Sequence, residues 1–175
     1  MKNRRWLNLM LLGLLVLLPC ICYGQTYQGP SGGRGGKPFD HWNESGGATD
    51  IGHVAVFVDN SVIRCIYVTY RDSFGKPSHR IKSGFCPQDD FRPIRGWTGI
   101  ALDPGEYIIG IAGRHGDLID SIRFYTSKKN SPVFGGSGGS ADFGYTAPPG
   151  QRIVGFFGRA GDSVDAIGVL FAAQR

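Results

Sequence analysis

The sequence predicts an all-β protein of many short strands, sandwich- or barrel-like. Three observations carry this: short runs rich in β-branched and aromatic residues, turn signals between them, and no dozen-residue window that keeps a helical period free of Gly or Pro. The runs are Val54–Val58, Val62–Tyr70, Tyr107–Ala112, Ser121–Thr126, Ile153–Phe157 and Ala166–Phe171. Their length and composition suit a pleated, half-buried surface. Asp103-Pro104-Gly105 and Ala147-Pro148-Pro149-Gly150 are turns, because proline presets one φ and glycine supplies the unusual one. Residues 25–52 are rich in Gly, Ser, Asn and Asp, and strand-like runs begin only after them.

The chain has 175 residues, enough for one domain with a core, and 41% hydrophobic residues, too many for a disordered chain. Glycine is the outlier, with 28 residues and no Gly-X-Y period. So much glycine points to tight turns and to backbone that comes close to something.

Residues 1–24 read as a cleaved export signal, and residues 25–175 as the mature domain. Lys2, Arg4 and Arg5 precede an apolar run from Trp6 to Leu18, Pro19 ends it, and cleavage is expected after Gly24. The rival reading, a membrane anchor, needs about 20 apolar residues, more than the run offers. The mature protein is therefore expected outside the cell, with no membrane span. The chain carries 19 basic and 14 acidic residues; removing the signal's three basic residues leaves a net charge of +2. No Lys/Arg stripe with interleaved aromatics supports nucleic-acid binding. Cys65 and Cys86 remain in the exported part and are expected to be bridged, the other reading being two buried thiols.

The chain repeats itself. Residues 113–122, GRHGDLIDSI, match residues 158–167, GRAGDSVDAI, at six of ten positions and an offset of 45 residues. A glycine run also recurs, as Gly32-Gly33-Arg34-Gly35-Gly36 and Gly135-Gly136-Ser137-Gly138-Gly139. These are the parts a sugar site needs. An ionised carboxylate accepts hydrogen bonds from neighbouring hydroxyls, and charge-assisted bonds are the stronger kind. Backbone amides beside glycines donate to sugar oxygens without side-chain obstruction.

The segments GGRGGKPFDHW, GRHGDLIDSIRFYTSKK, VFGGSGGSADF and IVGFFGRAGDSVDAIGVLF together resemble the jacalin-related lectins across the whole mature chain. They are most similar to the mannose-binding, griffithsin-like branch with repeated sites. The resemblance implies a β-prism I fold, three four-stranded antiparallel sheets with pseudo-threefold symmetry, one per repeat. It implies a first carbohydrate site at Gly36, Asp162, Ser163 and Asp165, and a second at Gly139, Asp117, Leu118 and Asp120. In the family the last aspartate accepts from O4 and O6, the amides at the Asp162 and Ser163 positions donate to O5 and O6, and the loop-glycine amide donates to O3. Many relatives place an aromatic where this chain has Ser163 and Leu118, so single-site affinity near millimolar, about 4 kcal/mol, is expected. In the third repeat Arg64 falls at the aspartate position and Ser83-Gly84-Phe85-Cys86-Pro87 replaces the glycine loop. A guanidinium accepts no hydrogen bond, so this copy is expected to be silent toward neutral sugars.

Other chemistry fits less well. A glycosidase needs an acid in an apolar pocket, whereas these aspartates are expected in solvent-facing loops. The calcium-loop pattern is absent, His41, His53, His79 and His115 lack ligand spacing, and the family binds sugar without metal, so no cofactor is expected. Asn43-Glu44-Ser45 is a glycosylation sequon. The expected function is a secreted, non-enzymatic lectin for α-mannose or α-glucose units of glycans, with a homodimer as a possible assembly. The galactose-preferring branch needs a free N-terminal glycine, and Gly36 lies inside the chain. The alternative is a packaging or structural protein that binds acidic or sulfated polysaccharides through Arg34, Lys37, Arg114 and Arg159.

Overall fold

A computed structural model describes residues 24–87 and 96–174. The expected export signal, residues 1–23, lies outside the described residues. The fold is all-β, with twelve strands and one helical turn among the described residues. The strands are β1 (Thr26–Gly32), β2 (Lys37–Asp40), β3 (Ile51–Asp59), β4 (Val62–Arg71), β5 (Pro77–Gly84), β6 (Trp97–Ala101), β7 (Ile108–His115), β8 (Ile119–Thr126), β9 (Phe134–Gly135), β10 (Ala141–Thr146), β11 (Gln151–Ala160) and β12 (Val164–Ala173). They pair into an eight-stranded and a four-stranded sheet.

Three antiparallel hairpins organise both sheets. β11–β12 is flanked by β1 and β2, β7–β8 by β9 and β10, and β3–β4 by β5 and β6. The first two units join into the larger sheet through the pair Ile153–Ile108. Alternation along the hairpin strands sends one side chain in two toward a shared interior. Ile66, Val68 and Tyr70 of β4, Ile122 and Phe124 of β8, and Ile167 and Val169 of β12 are buried together there. The Phe124 and Phe156 rings meet edge to face, with centroids 6.1 Å apart. On the other face of β3–β4, Ala55, Cys65 and Tyr67 form a small second cluster with Phe57, Cys86 and Trp97. The Cys65–Cys86 disulfide is formed, with Cα atoms 5.2 Å apart.

The helical turn α1 (His41–Glu44) follows β2 directly. Asp40 caps it, its Oδ1 accepting from the Trp42 and Asn43 amides. It carries the sequon residue Asn43, whose amide Nδ2 donates to Asp40 Oδ2.

Candidate functional site

Each hairpin ends in the same irregularity. On β12 the partners step from Arg159–Ala166 to Ala160–Val164, which leaves Asp165 as an extra residue. On β8 they step from Arg114–Ser121 to His115–Ile119, leaving Asp120. On β4 they step from Phe57–Cys65 to Val58–Ile63, leaving Arg64. A β-bulge frees its extra residue from the ladder and redirects its side chain. The two acidic residues therefore belong to strand ends rather than to the loops expected from sequence.

The glycine runs cross these hairpin ends. Gly33 N donates to Asp165 O at 2.8 Å, and Gly136 N to Asp120 O at 2.9 Å. Gly32, Gly135 and Gly84 all have positive φ, and a Cβ on them would strike the carbonyl oxygen of Asp165, Asp120 and Arg64 respectively. The third run is thus aligned from Gly84 onward, one residue later than the sequence pattern suggests.

Farther along, each run reaches the carboxylate. A Cβ on Gly36 would stand 2.5 Å from Asp165 Oδ2, and one on Gly35 would strike Asp165 Oδ1. A Cβ on Gly139 would stand 2.8 Å from Asp120 Oδ2, and one on Gly138 would strike Asp120 Oδ1. Only glycine lets backbone approach a carboxylate this closely. Gly161 N donates to Ser163 O at 2.9 Å and Gly116 N to Leu118 O at 3.0 Å, so both hairpin loops close alike. The amides of Gly36, Asp162 and Ser163, and of Gly139, Asp117 and Leu118, have no hydrogen-bond partner among the described residues. Each constellation offers three amide donors and one carboxylate acceptor.

Two arginines hold the loops in place, a role the sequence reading missed. Arg159 donates to the carbonyls of Gly35 and Gly36 at 2.7 and 2.8 Å. Arg114 donates to Gly138 and Gly139 at 2.9 and 2.7 Å and pairs with Asp142 at 2.7 Å. Two of the four cations expected to recruit acidic polysaccharide are therefore occupied inside the sites. The signal was present, since both arginines are among the positions that the two repeats share.

Asp165 is only 9% exposed, contrary to the solvent-facing position expected. Burial pushes its carboxyl up and the Asp162 charge adds to this; Arg159 and backbone amides pull the other way, leaving it above the usual range. Asp162 and Asp117 are exposed, whereas Ser163 is buried.

The third hairpin is built differently. Its pairing continues to Asp59–Val62 and closes on Asn60 and Ser61, both at positive φ. Phe57 stands where the other units carry the loop-holding arginine. The Arg64 guanidinium lies 5.9 Å from the Phe85 ring centroid. All three hairpin ends lie at one end of the molecule. A Cβ on Gly33 of the first run would strike the carbonyl of Asp117, and Gly136 of the second donates to Ser61 O at 3.1 Å.

Among the described residues no group of three or more potential ligands could hold a metal, and no helix is long and apolar enough to cross a membrane.

Lectins are among the solved structures similar to this chain. Malaysian banana lectin shares 27% identity over 86% of this chain and 100% of its own, with a TM-score of 0.69. Artocarpin, solved with mannotriose, shares 26% over 85% and 97%, with a TM-score of 0.68. A mannose-binding lectin from champedak shares 27% over 85% and 97%, with a TM-score of 0.67. No curated protein sequence matches the chain. The jacalin-like lectin domain matches residues 28–170, and the chain belongs to that family, whose members bind carbohydrate and are not enzymes.

Proposed function

We propose that the protein is an exported lectin that binds α-mannose or α-glucose units at two neighbouring sites. The first is Gly36, Asp162, Ser163 and Asp165; the second is Gly139, Asp117, Leu118 and Asp120. One observation carries the reading: at both hairpin ends, amides without a protein partner stand beside a carboxylate that only glycine backbone approaches, with no side chain between them. Such a carboxylate can accept from adjacent hydroxyls while the amides donate to ring and exocyclic oxygens. Artocarpin, solved with mannotriose, and the mannose-binding champedak lectin favour mannose as the sugar. The pairing supports a three-walled prism, since one residue pair joins the two halves of the larger sheet. The apolar leader, Trp6 to Leu18, supports export.

Two sites side by side suit a branched glycan, where linkage raises avidity by roughly 10² to 10⁴ over one site. The test is calorimetric titration with methyl α-mannoside. The wild type is expected to bind two equivalents, Asp165→Asn and Asp120→Asn one each, and the double variant none. Undiminished heat in the double variant would overturn the assignment.

A further inference from the structure

We propose that a groove beside the second site binds an anionic sugar, carboxylated or sulfated, attached to the hexose held there. The inference rests on the lectin reading and adds a ligand class to it. The groove measures about 360 Å³ and runs along the outward face of β7 and β8 up to the glycine run, where Gly136 and Ser137 line it. Ile122 and Phe124 point inward, so alternation sends Ser121, Arg123 and Tyr125 outward. Opposite Arg123 stands Ala112, and beyond it Gly144, so small residues neighbour the cation. Val133, 51% exposed, lines the groove as well.

The charge in this groove is not balanced. Arg114 is already engaged by two carbonyls and Asp142. Arg123 makes no hydrogen bond or ion pair with the described residues, and its Nε is buried without a partner. A covered N–H with no acceptor is costly until a ligand supplies one. A carboxylate or sulfate presents the oxygens that a guanidinium fork matches, and the Tyr125 ring offers an apolar surface to a sugar.

The repeats provide an internal comparison. Arg123 lies three positions after its bulge residue Asp120; Gly168 and Tyr67 lie three after Asp165 and Arg64. In the first unit Phe157 stands across from Gly168, and a Cβ there would come 2.5 Å from the ring, so this place is filled. In the third unit Tyr67 is 5% exposed and packs edge to face on Trp97, with centroids 6.3 Å apart. The second unit has Ala112 where the first has Phe157, and in the resulting space it places a cation.

The experiment uses the Asp165→Asn protein, in which only the second site remains. Its ligands are methyl α-mannoside and mannosides extended with glucose, glucuronic acid or sulfated glucose. At low salt at least one acidic disaccharide is expected to bind about tenfold tighter than the neutral one, and the two acidic ligands separate carboxylate from sulfate preference. Arg123→Gln should bring the ratio near one without changing methyl α-mannoside affinity. Ala112→Phe, which copies the first unit, should do the same by filling the groove. A ratio near one for both acids in the Asp165→Asn protein, or a ratio that survives adding Arg123→Gln, overturns the proposal. If neither methyl α-mannoside nor the neutral disaccharide binds, the lectin reading itself fails, and this proposal with it.

Discussion

In the proposed first site Asp165 meets two conflicting requirements. It must be ionised to accept from hydroxyls, yet burial raises its pKa above the reference value of 3.8. A raised carboxyl holds its proton more tightly in the folded protein than in the unfolded chain. Stability therefore falls as pH rises from the ordinary carboxyl range through the raised pKa, and stays lower above it. Asp165→Asn is thus expected to abolish binding at the first site while keeping or raising the urea midpoint at pH 7; a large loss of stability would contradict this. Binding has the opposite pH dependence, because protonation removes the charged acceptor. In the Asp120→Asn protein, mannoside affinity should weaken on acidification with a midpoint above 3.8, read by calorimetry at stepped pH. Gly36→Ala tests the approach of the backbone. Its φ of +57° costs an alanine about 1 kcal/mol, and its Cβ would strike the Ala160 carbonyl as well as Asp165 Oδ2, so both the urea midpoint and first-site binding should fall while the second site still titrates.

Between the residue and the whole stands the hairpin with its glycine run and its arginine. Arg159 need not touch the sugar to matter, because it fixes the carbonyls of the segment whose amide is proposed to donate to it. Arg159→Gln is expected to weaken first-site binding by about tenfold and leave the second site intact, which two-site titration would resolve. The sequence reading found the two strands of each hairpin because their Ile, Val and Phe residues alternate into a core. It missed β1, β2, β5, β6, β9 and β10. These flank the hairpins, are largely exposed, and carry Pro38, Pro77, Arg80 and Asp142, residues that suit an outer strand and blur a strand pattern. It missed α1 because four residues are too few to show a period. The acidic and glycine residues were legible because the chain repeats them. The bulges were not, since an extra residue leaves no mark on composition. Nor was the role of Arg114 and Arg159, because spacing does not say which carbonyl a guanidinium meets.

Contacts between units hold the whole molecule together. His41 is fully buried, and its Nε2 meets Ser83 Oγ of β5 at 3.0 Å, tying the segment after β2 to another unit. Burial pushes its pKa down to about 3, and burial lowers His53 too. The unfolded chain then binds more protons below about pH 6.5, so stability should fall there by about 1.4 kcal/mol per pH unit from His41 alone. A urea midpoint that stays level from pH 7 to pH 5 would contradict this. Opening the Cys65–Cys86 bridge, which spans 21 residues, should cost about 3 kcal/mol and be visible as a lower Tm under reductant. The overlap of each glycine run with the next hairpin reaches further. Ser61 seats the backbone of Gly136, so the hairpin that carries Arg64 in place of an acidic residue supports the glycine run of the proposed second site. Like a roof tile that carries the edge of the one above it, that turn is held to its shape by a task it does not itself perform, and chemistry can decay there without the scaffold being free to follow.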